Sequence, residues 1–199
     1  MEAATRRRTP AGASQARTRA TDALLDAAER LLVQQGYAGI TSRALAGEAG
    51  VNNGLVHYYF GSMEEVLVQV LERFTERLIV RQRAMYAGPG SFLEKWRTAW
   101  RYQEDDLRAG YSKIWLELQA LAWNNADISE RLARVNAEWR AVLTEAFDEP
   151  RRQLGIELPL EALVSLVMTF NLGIIVERLG GIETGHRELL DWIDRWISQ

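Results

Sequence analysis

Apolar residues recur every three or four positions along almost the whole chain, which is the spacing of amphipathic helices. No segment alternates strictly between apolar and polar positions over four or more residues bounded by turns, the pattern of a half-buried strand. The sequence therefore predicts an all-α protein of about nine helices. The first helix starts between Ser14 and Thr21, and Gly36 is placed to end it in a left-handed conformation.

Two short helices are predicted between residues 41 and 60. Each begins with good N-cap residues, Thr41 or Ser42 in the first and Asn52 or Asn53 in the second. Ala46 is small where one helix must approach another closely, and Gly50 lies in the turn between them. Apolar residues also stand where two helices crossing at ~90 to 120° would pack. This arrangement is typical of a helix-turn-helix.

Longer helices are predicted after residue 62. Ser62 and Glu65 form a capping-box pattern at the start of a fourth helix, which ends before Gly88-Pro89-Gly90. That cluster is the strongest boundary signal in composition, although a long helix can belong to both halves of a chain. Further helical stripes cover residues 92–107, 111–122, about 127–146, 160–179 and 186–198. Asp127 with Glu130 is expected to cap the third of these, and Pro150 or Gly155 to interrupt it.

The second short helix has the length and the exposed side chains of a helix that reads a DNA major groove. Its exposed face is expected to carry Asn52, Asn53, Gly54, Leu55, His57 and Tyr58. Asn side chains pair with adenine edges, and apolar groups contact the thymine methyl. The alternative is an ordinary helical hairpin, since a small residue, a glycine and spaced apolar residues also occur in plain bundles.

Residues 20–72, including GYAGITSRALAGEAGVNNGLVHYYFGSMEEVLVQVLE, resemble the DNA-binding domain of the TetR family of transcriptional regulators. The resemblance implies that Thr41 and Ser42 contact phosphate and that Arg43 reaches a base, as helix N-termini and arginine commonly do. It also assigns groove-facing positions to Asn53, Leu55, His57 and Tyr58, places Tyr59 beside the DNA backbone, and uses Gly54 for close approach. Met63, after Ser62, stands where the family usually has a lysine.

The first twenty residues carry five arginines against one glutamate, whereas the whole chain has a net charge of −3. Either this segment is a solvated tail or a cloning remnant, or it contacts phosphate. Arg17 and Arg19, which are nearest the fold, are candidates to replace the contact that is absent at Met63 through phosphate or the minor groove. We expect a basic flexible arm over residues 1–16, a DNA-binding domain over 17–62 and a second domain over 63–199.

All seven tryptophans lie beyond residue 90. Either they fill a helical core, or some of them line a ligand cavity. The family resemblance implies a ligand-binding and dimerisation domain here and favours a cavity among Trp96, Trp100, Tyr111, Trp115, Trp123, Phe170 and Asn171. Asn171 interrupts an apolar helix, so when buried it needs a polar partner, which could equally be a backbone carbonyl.

The last two helices carry a candidate interface between two copies of the chain. In the first of them Ser165, Thr169 and Gly173 recur every four residues and form a flat face. The last helix offers Leu189, Trp192, Ile193 and Trp196 within a short length. Together they suggest a two-fold four-helix interface, and the alternative is packing inside one subunit.

Composition excludes several other kinds of protein. The chain has no cysteine, and its two histidines, His57 and His186, are far apart in sequence. We find no phosphate-binding glycine loop and no metal-ligand spacing, so we expect neither an enzyme nor a cofactor or metal site. The apolar run at residues 162–176 contains three polar residues and is shorter than the ~18 to 20 residues that span a bilayer. No secretory signal is present, so we expect a cytoplasmic protein with no membrane contact.

These observations predict a homodimeric, ligand-responsive repressor that binds a palindromic operator in double-stranded DNA. The effector is a small molecule, which the abundant aromatic residues suggest is apolar or aromatic. A transcriptional activator or an unliganded regulator would have the same architecture. A protein-binding adaptor that has lost DNA binding is the remaining alternative.

Overall fold

The computed structural model describes residues 10–36 and 39–198, with side chains from residue 17 onward, and within these residues it forms nine α-helices and no strand. This confirms the predicted all-α fold. The helices are α1 Pro10–Gln35, α2 Ser42–Ala49, α3 Asn53–Phe60, α4 Met63–Ala87, α5 Phe92–Arg108, α6 Tyr111–Ala122, α7 Ala126–Gln153, α8 Leu160–Leu179 and α9 His186–Ile197.

The chain forms two compact units that divide inside α4, between Val70 and Leu71. Helix α4 therefore belongs to both units. The residue limits expected for the arm and the two domains remain a prediction.

The first unit is built from α1, α2, α3 and the first turns of α4. Its centre is apolar, because the stripe predicted on α1 faces inward together with one side of each short helix. The most deeply buried side chains of this unit include Leu24, Leu32, Leu45, Val56 and Val66. At the surface, Arg30 of α1 donates a hydrogen bond to Glu48 of α2 over 2.6 Å.

Helix α1 is already helical at Pro10, the first described residue, which is earlier than the predicted start between residues 14 and 21. Proline is favoured in the first helical turn, and the alanine, glutamine and arginine residues that follow are good helix formers. Residues 10–16 of the expected arm are therefore helical, and residues 1–9 lie outside the described residues. Gly36 ends the helix as predicted, with φ of 71°.

The second unit holds a core of six buried residues from α5, α7 and α8, namely Trp96, Leu143, Phe147, Leu163, Val164 and Val167. Helix α7 packs against both α6 and α8, and α5 packs against both α6 and α9. Ion pairs add to this packing at the surface. Arg97 of α5 bonds to Asp194 of α9 over 2.7 Å.

Two helix ends differ from the sequence predictions. The N-cap of α7 is Asn125, whose side chain accepts hydrogen bonds from the backbone N–H groups of Asp127 and Ile128, so the prediction that Asp127 caps this helix is wrong. Both residues are good caps, and the sequence alone did not rank them. Helix α7 also continues past Pro150 and ends just before Gly155, which has φ of 64°.

Helix α8 is long and apolar enough, by length and composition alone, to cross a membrane, and within the described part of the chain no other helix is. It has 20 residues, and its most apolar stretch of 18 residues has a mean hydropathy of 1.7 with 22% of those residues buried. Core helices of soluble proteins pass the same test. One of its polar groups, the Ser165 hydroxyl, accepts a hydrogen bond from Arg140 over 2.9 Å.

Candidate DNA-binding helices and a candidate ligand cavity

Helix α2 presents an exposed N-terminus. Thr41 is its N-cap, and the Thr41 hydroxyl accepts a hydrogen bond from the backbone N–H of Ala44 over 3.2 Å. Thr41 and Arg43 are exposed and Ser42 is half-buried. Backbone N–H groups and hydroxyls at a helix start suit an anion, so this end of α2 has the chemistry of a phosphate contact.

The turn between α2 and α3 depends on Gly50. Its φ of 67° lies in the left-handed region, and its N–H is directed at the carbonyl groups of Ala46 and Gly47. The N–H of Val51 also bonds to the Ala46 carbonyl, over 2.9 Å. Ala46 is buried, as expected for a small residue where two helices meet. This is the predicted helix-turn-helix.

Helix α3 has one buried side and one exposed side. Asn52 is its N-cap and accepts a hydrogen bond from the N–H of Gly54 over 2.8 Å. Val56 and Phe60 are buried, whereas the predicted groove-facing set divides into exposed and half-buried members. Exposed are Asn52, Asn53, Gly54, His57 and Tyr58, and half-buried are Leu55 and Tyr59.

Tyr58 is the most exposed of the large side chains in this region, with 71% of its surface accessible. Its ring meets that of Tyr59 edge-on, with centroids 5.2 Å apart. Aromatic side chains usually pack against neighbours, so an exposed tyrosine on a helix that also exposes two asparagines marks a surface suited to a partner. The exposed side of α3 is hereafter called the recognition face.

The remaining predicted DNA contacts lie on α1 and at the start of α4. Arg17 and Arg19 are exposed on α1. Ser62 is exposed, and its hydroxyl accepts a hydrogen bond from the N–H of Glu65 over 3.2 Å, as the capping pattern predicted. Met63, which replaces the family's usual lysine, is half-buried.

The second unit contains a cavity of about 480 Å³, within the ~300 to 1,000 Å³ of small-molecule sites. Its walls come from helices α4 to α8 and are rich in aromatic rings, namely Phe74, Tyr86, Trp96, Trp100, Tyr111, Trp115, Trp139 and Phe147. The uncharged polar residues at its walls are Thr75, Gln82, Gln103, Ser112, Gln119, Asn136, Thr169 and Asn171. A mostly apolar cavity with a few polar groups is the usual form of a ligand site.

Two charged residues line this cavity among the described residues, Asp106 and Arg140. Asp106 accepts a hydrogen bond from Arg81 over 2.8 Å, and the Arg81 guanidinium also lies over the ring of Tyr102 at 4.1 Å from its centroid. Burial raises the pKa of Asp106 to about 6, and the neighbouring Arg81 opposes that rise. Burial also raises the pKa of Tyr86 to about 12, so this phenol stays neutral.

The structure places five of the seven predicted ligand residues at the cavity, namely Trp96, Trp100, Tyr111, Trp115 and Asn171. Trp123 follows the last residue of α6, is 82% exposed and is not at the cavity wall. Phe170 packs edge-on against Trp100, with centroids 5.5 Å apart, and is also not at the wall.

Sequence reasoning missed the contributions of α4 and α7 to the cavity. Trp139 lies within the helical stripe predicted over about 127–146, and Arg140 carried no signal of its own because polar residues on long helices usually face solvent. Buried Gln82 breaks the α4 stripe, which is the one mark that could have been noticed.

Helices α8 and α9 leave an apolar surface uncovered. Its large members are Leu166, Leu172, Val176, Leu189, Trp192 and Trp196, and we call this set the C-terminal apolar surface. Of the predicted interface residues, Thr169 and Gly173 are exposed beside it, and Ser165 is half-buried. Ile193 packs against the core of the second unit instead.

These observations define a helix-turn-helix protein with a separate helical unit that contains a ligand-sized cavity. The family model described as bacterial regulatory proteins, tetR family, matches residues 24–70. The HTH-type transcriptional regulator BetI of Rhizobium meliloti is 39% identical over 56 residues, which are 28% of each chain. The N-terminal unit therefore carries the tetR-family domain, and it is similar to the corresponding part of a transcriptional regulator.

Solved structures resemble the chain over most of its length. A transcriptional regulator from Saccharomonospora viridis in complex with choline has a TM-score of 0.69 at 20% identity, covering 91% of this chain and 94% of that one. FadR from Bacillus subtilis in complex with stearoyl-CoA has a TM-score of 0.67 at 15% identity, covering 88% and 96%. At these identities the likeness concerns the fold.

The match to BetI spans only 28% of that protein's length, so it concerns the DNA-binding unit. The family and these relatives are regulators and not enzymes. Within residues 10–36 and 39–198 no group of three acidic or histidine side chains is arranged to hold a metal ion.

Proposed function

We propose that the protein is a cytoplasmic repressor that binds a palindromic DNA operator as a homodimer and releases it when a small molecule occupies the cavity. The recognition face is the observation that carries this proposal. Its asparagine, histidine and tyrosine side chains are exposed on a helix of eight residues whose opposite side is buried. Such a helix fits a major groove and offers hydrogen-bonding and apolar groups to base edges.

The contacts to DNA divide by chemistry. Thr41, Ser42 and Tyr59 are proposed to contact the backbone, with Arg17, Arg19 and Ser62 as further backbone contacts. Arg43 and the recognition face are proposed to read bases, because arginine pairs with guanine and asparagine with adenine through two hydrogen bonds.

A homodimer is supported by the C-terminal apolar surface. Six large apolar side chains lie exposed on two neighbouring helices, and monomeric proteins seldom leave a large apolar patch uncovered. Two such helices from each subunit would form a four-helix interface with two-fold symmetry. Two subunits also supply the two recognition helices that a palindromic operator needs, ~34 to 36 Å apart or at a multiple.

Ligand response is supported by the cavity and by the two structures of similar fold. The S. viridis regulator holds choline and the B. subtilis FadR holds stearoyl-CoA, so this fold accommodates small molecules of different chemistry. Helix α4 begins next to α3 in the sequence, and its later residues line the cavity. A coupling free energy of ~2.7 kcal/mol changes operator occupancy 100-fold, which is within the usual allosteric range.

The proposal is tested by fluorescence anisotropy with the DNA that flanks the protein's own gene, at two salt concentrations. We expect palindrome-dependent binding that weakens steeply with salt, because phosphate contacts release counterions. Arg43→Ala should lose about 5- to 150-fold in affinity, by removal of a base contact worth ~1 to 3 kcal/mol. Arg101→Ala is the matched control, since it removes an exposed arginine of α5 and should leave binding unchanged.

Binding no tighter than to random DNA, both with flanking DNA and after selection from genomic fragments, would contradict the proposal. A protein that binds its operator only with an added effector would be an activator or a co-repressed regulator, and not the repressor proposed here.

A further inference from the structure

The charges at the cavity wall do not cancel. Asp106 is neutralised by Arg81, whose guanidinium is 2.8 Å away and is not itself at the wall. Arg140 has no such partner: its Nη2 donates to the Ser165 hydroxyl over 2.9 Å, and its Nη1 lies 3.6 Å from the Met168 sulfur. Within the described part of the chain it forms no ion pair. The cavity therefore has one uncompensated positive charge.

This lack of an acidic partner distinguishes Arg140 from most arginines of the second unit. Arg81, Arg83, Arg97, Arg131 and Arg178 each bond to a carboxylate. Arg140 is half-buried, and a partly desolvated guanidinium with neutral partners gains most from an added anion. A carboxylate fits its planar set of donors through two parallel hydrogen bonds.

Gln82 gives a second, independent indication of a ligand. It is only 6% exposed, lies at the cavity wall, and its side-chain oxygen Oε1 is buried with no hydrogen-bond partner among the described residues. A buried amide without partners is costly, whereas an amide that bonds to a ligand is not. Its amide group provides both donors and an acceptor.

The other residues of the cavity wall indicate which chemistry the uncharged part of the ligand has. Rings from Trp100, Trp115 and Trp139 and their neighbours give a largely apolar surface, which favours an apolar body. Aromatic rings also attract organic cations, so the rings alone leave the sign of the ligand's charge open. The uncompensated guanidinium of Arg140 decides it, because it would repel a cation inside the same cavity.

We propose that the cavity binds an organic monocarboxylate, with the carboxylate on Arg140 and an apolar body against the aromatic wall. This inference rests on the proposed ligand-responsive function and names its chemical class of effector. A polyanion, such as a nucleotide thioester, is not expected to bind inside, because the wall offers only one free positive charge.

The test compares three probes with the same ten-carbon tail: decanoate, decanol and decyltrimethylammonium. Their binding to the full-length protein is measured by tryptophan fluorescence and by calorimetry, below the concentrations at which they aggregate. Four of the seven tryptophans line the cavity, so its occupation should change the emission. We expect decanoate to bind at least tenfold more tightly than either of the other two probes.

Variants locate the carboxylate. Arg140→Gln should weaken decanoate at least tenfold and leave decanol within twofold, whereas Arg140→Lys, which keeps the charge, should recover part of the loss. Arg134→Gln is the matched control, because Arg134 is exposed on the same helix, pairs with Glu130 and is not at the wall. Circular dichroism spectra and melting temperatures show that each variant is folded.

Tightest binding by decyltrimethylammonium, equal binding of all three probes, or unchanged decanoate binding in Arg140→Gln would each overturn the inference. These measurements need no DNA, so their failure is distinct from failure of the proposed repressor. A protein that binds its operator but not decanoate would refute only the ligand class. One that binds decanoate through Arg140 but no operator would refute only the regulator.

Discussion

Each unit contains a side chain whose surroundings within that unit do not satisfy it. Tyr58 is 71% exposed, although a tyrosine ring gains free energy when it is buried. Arg140 has only neutral partners, although arginine pairs well with acids. In each case we propose that an external partner supplies the unmet interaction, DNA for Tyr58 and a carboxylate for Arg140.

Replacing Tyr58 with alanine should separate DNA binding from stability. Because the side chain buries little surface, we expect the melting temperature to stay within about 1 °C, while operator affinity falls at least tenfold. Val33→Ala is the control, since Val33 is also an exposed apolar residue of the first unit but lies on α1. Loss of affinity in both variants would point to a general change in the unit and not to a contact by Tyr58.

Asp106 should make stability depend on pH in an unusual direction. Its pKa is about 6 in the folded protein against 3.8 as the ordinary value, so between these values the folded state binds the proton more readily than the unfolded chain. Falling pH therefore stabilises the protein through this group, and the gain is lost as pH rises through about 6.

We expect the free energy of unfolding of the wild type, relative to Asp106→Asn, to rise by about 1 kcal/mol from pH 7.5 to pH 5. Urea unfolding of both proteins at the two pH values measures this difference. A relative stability that does not change with pH would show that the carboxyl group titrates alike in the folded and unfolded states.

Whether a side chain is buried could be predicted from the sequence only where the spacing along a single helix determines it. Leu24, Ala28 and Leu31 are buried as the spacing on α1 predicted, because a helix places residues three and four apart on one face. Trp123 and Phe170 were placed at the cavity and are not there. Whether a ring meets a cavity or a neighbouring ring depends on which helices are adjacent, and periodicity along one helix does not contain that information.

At the scale of elements, glycines and caps determine where helices end. Gly36, Gly50 and Gly155 all have positive φ at or next to a helix end. The sequence predicted these ends well, because few other residues tolerate that conformation. Helix starts were less predictable: α1 is already helical at Pro10, and Asn125 caps α7 in place of Asp127.

Two glycines of the helix-turn-helix should respond to alanine in opposite directions. Gly50 has φ of 67° with open space around it, so Gly50→Ala should cost about 1 kcal/mol of unfolding free energy through the backbone alone. Gly47 lies inside α2, also in open space and without a positive φ, so Gly47→Ala should stabilise by about 0.5 to 1 kcal/mol. Chemical denaturation of the two variants measures both values.

Destabilisation by both substitutions would mean that side-chain clashes decide the outcome. Both glycines are exposed with open space around them, so opposite changes in unfolding free energy would follow from their different backbone conformations.

At the scale of the whole molecule, the C-terminal apolar surface is left uncovered by the single chain. Trp192 of α9 is 56% exposed, and Leu189 and Trp196 of the same helix are each 39% exposed. The sequence predicted Leu189, Trp192 and Trp196 of α9 as interface residues, and these are exposed, whereas the exposed Leu166, Leu172 and Val176 of α8 were not predicted. It did not reveal that Ile193 faces the core, because α9 is apolar on two sides.

Trp192→Arg should convert a dimer into a monomer of 22.6 kDa, because it places a charge in an apolar interface. Size-exclusion chromatography with light scattering measures the mass, and operator affinity should fall together with it. Val80→Arg is the control, since Val80 is 70% exposed on α4, away from this surface in the sequence. A wild-type protein that is monomeric at micromolar concentration would contradict the interface.

Helix α9 contains no fully buried residue, and isolated helices of its length, 12 residues, are marginal in water. Ile193 and Ile197 pack against the core of the same subunit, and in the proposed dimer the second copy would cover the exposed apolar residues of α9 and so stabilise this segment further. The melting temperature should then rise with protein concentration, by mass action. In a cell with few copies, the abundance of the regulator would itself determine what fraction of it is assembled and able to hold an operator.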